Sequence, residues 1–360
     1  MDSESERVSR QSNFEALRIV CIISIVVLHI WTQTEAINLK PDAGWPYFLF
    51  VLFGYGGRLV CNCFVMIGAW FLCDTEFKSE RVVKLWMQIF FYAVTITVIC
   101  TLLKFPDADL VRLIQAFLPI MGRPVWFPAE YILLLMLSPF LNKLLIWEEG
   151  QYCRKILIFL AVLIMIPATL FPIEYTKPVF SELVWFCFLY LYIAYIKRHP
   201  MHWMEKRMRV YIGAVSMYSF NVAVYIILDD LGLKSYAHYY MSHYETVFSF
   251  ITSVLLFIAF KNINLGRGKI INFIGGNTFA VYLLHALPCL CITLWNGIFN
   301  VDDNLDNPLY IVSVVVIIFV VAMVVESIRK RVFDRLIYKA AIYKKVCRKI
   351  DGFYLMQTFL

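Results

Sequence analysis

Seven side chains that are costly to place in lipid stand inside stretches that are otherwise apolar: Arg18 and His29, Arg58 and Asn62, Glu130, and Asn277 and His285. A charged or strongly polar group at membrane depth is unfavourable unless it faces a partner, water or the interior of a helix bundle, so each marks a candidate functional position. An imidazole can exchange a proton near neutral pH, and a guanidinium can hold an anion. Arg18 and His29 are eleven positions apart. On an α-helix that puts them within about 20° of one face and about 16 Å apart along the axis. They share a stripe, with Arg18 near one membrane surface and His29 deeper. An interfacial anchor and a packed, hydrogen-bonded histidine would show the same spacing, so spacing alone leaves both readings open.

The elements that must position these residues are ten apolar spans, at 14–34, 47–73, 85–104, 125–147, 155–173, 179–196, 208–228, 244–260, 271–296 and 308–328. Most reach the roughly 20 residues needed to cross the hydrocarbon of a bilayer. The expected fold is an all-α integral membrane protein with about ten transmembrane helices in one bundle. Segment 106–121, bracketed by Pro106 and Pro119, is too short to cross and reads as a re-entrant or interfacial helix. The composition agrees. With 61% hydrophobic and 16% charged residues, the chain cannot cover itself with a water-facing surface, for which about 25% charged is usual.

The net charge of +7 falls in short connectors, which is a topology signal and excludes a nucleic-acid footprint. Counted loop by loop, 26 of the 33 Lys and Arg residues lie on the side of the N-terminus, 6 lie on the other, and Arg58 is inside the second span. The expectation is a plasma (inner) membrane, multi-pass protein with both termini cytoplasmic. It divides into a tail at 1–13, a transmembrane domain at 14–328 and a basic tail at 329–360 that can lie on anionic lipid. The first span is expected to be retained, since polar residues precede it and no A-x-A-like cleavage site follows.

Five segments, in order, carry a family resemblance. NFEALRIVCIISIVVLHI (13–30) resembles the first helix of the acyltransferase-3 family of membrane O-acyltransferases, which carries an Arg, ten residues and a His. GRLVCNCFVMIGAWFL (57–72) is similar to the family's second-helix segment that ends in Ser-Gly, and RVVK (81–84) to its pair of basic residues three apart. VWFPAEYILLLMLSPFLNKLL (125–145) resembles a Trp-Phe…Tyr…Ser-Pro-Phe-Leu-Asn segment of exopolysaccharide-modifying members. INFIGGNTFAVYLLH (271–285) resembles the late helix ending Tyr-Leu-X-His.

The resemblance implies transfer of an acyl group, usually acetyl from acetyl-CoA, to a hydroxyl of a cell-surface or lipid-linked glycan. His29 and Arg18 take the catalytic positions. A neutral imidazole can accept the hydroxyl proton as general base, and an acyl-histidine intermediate is the other route open to it. Arg81, Lys84 and His285 become candidates for holding the donor, with CoA arriving from the cytoplasm, although loop charges and a packed histidine would look the same. Arg58, Asn62, Glu130 and Asn277 are acceptor-binding or structural candidates, and Arg58 and Glu130 could pair. No bound cofactor and no metal is expected; the partners are acetyl-CoA, a glycan acceptor and membrane lipid. Nothing specifies an oligomeric state. Two departures stand out: Gly68-Ala69 replaces Ser-Gly, which removes a hydroxyl, and Glu130 stands where small residues are usual.

Two other classes compete with this reading. A polysaccharide flippase or transporter would also have many spans, but matching inverted repeats and Gly/Pro-broken helices are not evident. A catalytically silent family member could act as a scaffold. The ten cysteines lie mostly in apolar spans and read as small hydrophobes. No phosphate-cradling Gly loop occurs. Arg18→Ala is expected to weaken use of acetyl-CoA while leaving membrane insertion intact; unaltered turnover in that variant removes the role given to Arg18.

Overall fold

The computed structural model describes residues 10–172, 181–338 and 340–357; Arg7, Lys177 and Lys339, which entered the charge count, lie outside them. Among the described residues the chain is entirely helical. In order come α1 (Ser12–Gln33), α2 (Trp45–Gly54), α3 (Gly56–Leu72), α4 (Ser79–Leu102), α5 (Leu110–Phe117), α6 (Trp126–Ile146), α7 (Gln151–Leu160), α8 (Ile166–Leu170) and α9 (Glu182–Arg198). There follow α10 (Arg207–Asp230), α11 (Lys234–Ser242), α12 (Val247–Lys261), α13 (Lys269–Gly275), α14 (Thr278–His285), α15 (Pro288–Ile292), α16 (Pro308–Arg329), α17 (Arg335–Ile337) and α18 (Ala341–Gln357).

Among the described residues seven helical stretches are long and apolar enough to cross a membrane, and two bent pairs raise the number to nine if each is one span. α2 and α3 run on as one 28-residue span, and α7 and α8 together form another of 20 residues. α5 has only eight residues and shows Leu110, Val111 and Ile114 to the outside, the pattern of a helix lying in an interface. Lipid-facing surface is plain on α16, where Val316, Val320 and Val324 are exposed. α9 is its opposite. Trp185, Phe186, Phe188, Leu189, Tyr190, Leu191, Ile193 and Ala194 are all buried, so this helix is enclosed on every side.

Two of the expected straight spans are broken. The ninth, 271–296, is split at Ala286–Leu287, with an 82° bend between Lys269–His285 and Pro288–Ile298. Pro288 begins the second piece; it supplies no backbone N–H, which suits a helix start and not a helix interior. The eighth, 244–260, is really α12 preceded by α11, with a 43° bend across residues 243–246. Broken helices, not evident in the sequence, are therefore part of this fold.

α1 packs most closely on α3, and small residues permit it. A Cβ on Gly57 would come within 2.9 Å of the Ser24 carbonyl oxygen, so only glycine lets the two backbones approach this far. The basic end of the bundle, where α1 begins, is tied by polar contacts between helix ends. Asn13 donates to the carbonyls of Phe260 and Lys261 at 3.1 and 3.2 Å. Lys197 pairs with Asp74 at 2.6 Å and also donates to the Trp70 carbonyl. The Lys197 ammonium holds the Asp74 carboxyl below its ordinary range. At the opposite end Tyr47 donates to Asp229 (2.8 Å), and Asp302 accepts from the Glu35 N–H (2.7 Å).

One buried network stands apart from these ends. Arg329 makes a two-pronged contact with Glu326, 2.8 Å on each prong, and a further one to Asp334 at 2.6 Å. Glu326 also accepts from Gln88 and Tyr92 of α4, at 3.2 and 3.1 Å. Leaving one partner of such a pair buried alone costs about 3–5 kcal/mol. Glu326→Ala is therefore expected to lower the thermal unfolding midpoint of the detergent-purified protein sharply. An unchanged midpoint would show that α4 and α16 do not depend on it.

Candidate active site

His29 and His285 come together in the interior. Their ring centroids are 5.0 Å apart with the planes at 59°, although 256 residues separate them in sequence. α1 carries one and the last turn of α14, just before the break, carries the other. Nδ1 of His285 lies 2.6 Å from the Val281 carbonyl oxygen. A carbonyl only accepts, so Nδ1 bears the hydrogen and Nε2 presents its lone pair. Among the described residues that Nε2 is buried without a partner, and so is Nδ1 of His29. Buried nitrogens of this kind are uncommon unless a ligand or water completes them. Tyr282 and Trp295 border the pair, with ring centroids 6.4 Å from His29 and 6.1 Å from His285 respectively.

Arg58 lies within electrostatic reach of His29. Its guanidinium sits 5.1 Å from the Trp126 ring, and Trp126 in turn stacks on Tyr244 at 6.0 Å. Arg58 makes no ion pair among the described residues. The pairing with Glu130 considered from the sequence does not form, because Glu130 pairs instead with Arg123, at 2.9 Å, and Arg123 also approaches Glu182 at 3.9 Å. Glu245, buried in the turn between α11 and α12, faces the field of Arg58 and His243. Arg58 is thus a cation at membrane depth held by an aromatic face, with its positive charge left for something else.

Asn62, one turn along α3 from Arg58, has a structural task. Its amide donates to the Tyr244 carbonyl at 2.8 Å and to Ser253 at 3.1 Å, and its oxygen accepts from the Trp185 indole at 2.9 Å. A helix break inside a membrane frees backbone groups that no water can satisfy, and Asn62 supplies the missing donor. Asn277 is also spoken for. It donates to the Phe273 carbonyl and accepts from Lys330, at 2.8 and 2.7 Å, which ties the α13–α14 junction to the end of α16. Neither residue is brought to the histidine pair.

Arg18 lies on the same helix as His29, nearer the basic end, and pairs with Glu15 at 3.0 Å; Arg10 approaches the same oxygen at 3.3 Å. Arg81 donates to Thr75 at 2.9 Å. Lys84 is bound to Glu80 at 2.6 Å and lies 5.1 Å from the Tyr338 ring, so it belongs to the contact with the C-terminal segment. Arg18 and Arg81 meet, electrostatically, at Tyr131 of α6. The hydroxyl end of that phenol lies against Gly68, where a Cβ would collide with it. The hydroxyl absent from residue 68 is thus replaced, in the same space, by one reaching over from α6.

Sequence reasoning missed Glu15, Trp126, Tyr131, Glu245 and Trp295. Glu15 had a signal, an acidic residue three positions before Arg18 and so on the same helix face. Tyr131 had one too, in the glycine at 68, but only the packing of α3 on α6 reveals which side chain fills the space. Trp126 and Tyr131 stand in the Trp-Phe…Tyr segment that carries the resemblance, which gave them no role; Trp295 had no signal, since aromatics are abundant in every span.

A bundle of apolar helices with two adjoining imidazoles in its interior defines a multi-pass membrane protein. The chain belongs to the acyltransferase-3 family: its residues 11–327 match the family model described as an acyltransferase domain. Comparison with curated proteins gives no match, and comparison with solved structures gives none.

The bonds of Asn62 generate a prediction. Asn62→Ala strips a buried carbonyl and an indole of their partners, at about 1–3 kcal/mol for each unsatisfied group. It should lower the thermal midpoint and the acyl-transfer rate together, while Arg58→Gln lowers the rate alone. A stable but inactive Asn62→Ala protein would make Asn62 a substrate contact instead.

Proposed function

We propose that this protein is a membrane O-acetyltransferase that moves the acetyl group of acetyl-CoA to a sugar hydroxyl of a cell-surface or lipid-linked glycan. Family membership supports acyl transfer, and the observation that carries the finer reading is the pair of imidazoles with unsatisfied ring nitrogens beside an unpaired Arg58. In this reading His29 takes the proton of the acceptor hydroxyl as its oxygen attacks the thioester carbon. The new C–O bond forms as the C–S bond breaks, and the proton passes to the departing thiolate. His285, its tautomer fixed by Val281, orients His29 or a hydroxyl between the two rings. Arg58 offers its charge to the oxyanion or to an acidic acceptor, in a place where little water screens it.

The topology belongs to the same proposal. α9, at 17 residues, is at the short limit of a crossing helix. With the seven long stretches and the two bent pairs it makes ten crossings, which put both termini on the side holding 26 Lys and Arg residues, the cytoplasmic face of the plasma membrane. Acetyl-CoA then enters from the end where Arg18 and Arg81 stand, about 16 Å from His29 along α1. The donor's anionic end and its thioester lie at opposite ends of an extended arm, which suits that separation. One observation favours a transporter, namely the two helices broken at membrane depth. One of the same breaks places His285 at the end of α14, beside His29.

The test uses membranes containing the protein, labelled acetyl-CoA and lipid-linked glycan extracts. Wild type should transfer base-labile label and release CoA thiol, and His29→Ala, inserted at normal levels, should lose at least about a hundredfold, the usual size of a general-base contribution. Equal transfer by the two proteins removes His29 from the chemistry. Failure of wild type to bind acetyl-CoA at all returns the transporter or the scaffold.

A further inference from the structure

Lys344, Lys345, Arg348 and Lys349 stand on one side of α18, within an arc of about 140°, and together they line one open groove. All four are exposed, and among the described residues none of them makes an ion pair. Asp351, the one carboxylate of α18, is directed elsewhere. It accepts from the Ser79 N–H at 2.8 Å and so completes the first turn of α4, while the Ser79 hydroxyl donates to the Cys347 carbonyl at 3.0 Å. Ser79 and Cys347 are both buried by this contact. One turn of α18 is thus docked on the protein, and the docking leaves the cationic side turned outward. α4 is one of the crossing helices, and it begins at Ser79 at the basic end of the bundle. A helix tied to that residue sits where the chain leaves the hydrocarbon. Val332 and Leu336, in the stretch that leads to α18, and Val346 within it are exposed apolar side chains. Cations and apolar groups shown together at this level are the marks of a helix that lies in an interface. Four like charges within about 8 Å of helix axis repel one another in water, and a facing anionic surface turns that repulsion into attraction.

We infer that α18 is a lipid-docking helix, held by Asp351 and Ser79 against the start of α4 so that Lys344, Lys345, Arg348 and Lys349 rest on the anionic headgroups of the adjoining leaflet. The partner is a bilayer surface and not a soluble anion. The face lies on the outside of the bundle, with α4 as the main neighbour of α18, and exposed apolar side chains accompany it that a soluble anion would leave in water. This docking is independent of acyl transfer.

The test uses the full-length protein in bilayer discs of phosphatidylcholine, alone or with about a third phosphatidylglycerol, and an amine-reactive reagent whose labelling is read lysine by lysine from peptide masses. Labelling of Lys344, Lys345 and Lys349 should fall about fivefold when phosphatidylglycerol is present, the factor that one basic residue gains beside an anionic surface, and should recover in high salt. Lys206, in a loop at the same end of the bundle, should change less than about twofold over the same comparison. Asp351→Ala keeps the four cations and releases them from Ser79, so part of the protection should be lost. Equal labelling in the two kinds of disc, or an equal fall at Lys206, overturns the docking of α18 on lipid. Protection in phosphatidylcholine alone by added inorganic pyrophosphate or acetyl-CoA assigns the face to a soluble polyanion and overturns it as well. Undiminished protection in Asp351→Ala overturns the part given to the contact with α4.

Discussion

A backbone carbonyl released inside a membrane must find a donor within the protein, and the bond from Asn62 to the Tyr244 carbonyl meets that demand beside the candidate site. Without it the turn between α11 and α12 would carry an unsatisfied polar group at a depth where water does not reach. The bond fixes Tyr244, Tyr244 stacks on Trp126, and Trp126 holds the Arg58 guanidinium. The chain of contacts then reaches the field around His29. Trp185 closes the same network from the enclosed helix α9. A break that would be a defect in a straight helix becomes the means by which polar groups are seated at the centre.

The two ends of the interior differ in how their charges are treated. At the basic end Arg18 is balanced by Glu15 and Arg81 is engaged with Thr75, and both still face Tyr131. Deeper in, Arg58 lies over an aromatic face and makes no ion pair among the described residues. A guanidinium over an indole keeps most of its field, because the ring's quadrupole is weak beside a carboxylate. The acyl-transfer reading uses that contrast. Binding can be shared among balanced groups, whereas stabilising a transient negative charge calls for a cation not already paired.

Much of this was legible in the sequence. Arg18 and His29 disclosed themselves by residue type and by an eleven-residue spacing within one apolar span, and local geometry is enough to read that. The family could be read from five short segments in order. The break after His285 was not read, because hydropathy does not change when a helix turns through 82°; its one local signal is Pro288, which cannot donate a backbone N–H inside a helix. The partners of Glu130 and Asn62 were equally hidden, because Arg123, Tyr244 and Trp185 are set opposite them by packing between distant helices. Tyr131 shows the limit most directly. The sequence reveals a missing hydroxyl at residue 68, but only the bundle reveals that another helix fills its place.

The Glu326–Arg329 pair has a bearing on how the chain is assembled. Both members lie on one helix, a single turn apart, so the ion pair can close as soon as that helix forms. The last long apolar helix therefore carries its own counter-ion and presents a nearly neutral face to the lipid before any neighbour has docked. Gln88 and Tyr92 need only recognise a finished unit. Arg58 has no such companion on its own helix, and its charge waits for Trp126 to be delivered from elsewhere in the chain. The final helix is thus built to enter by itself, while the helix bearing the central cation is built to enter in company.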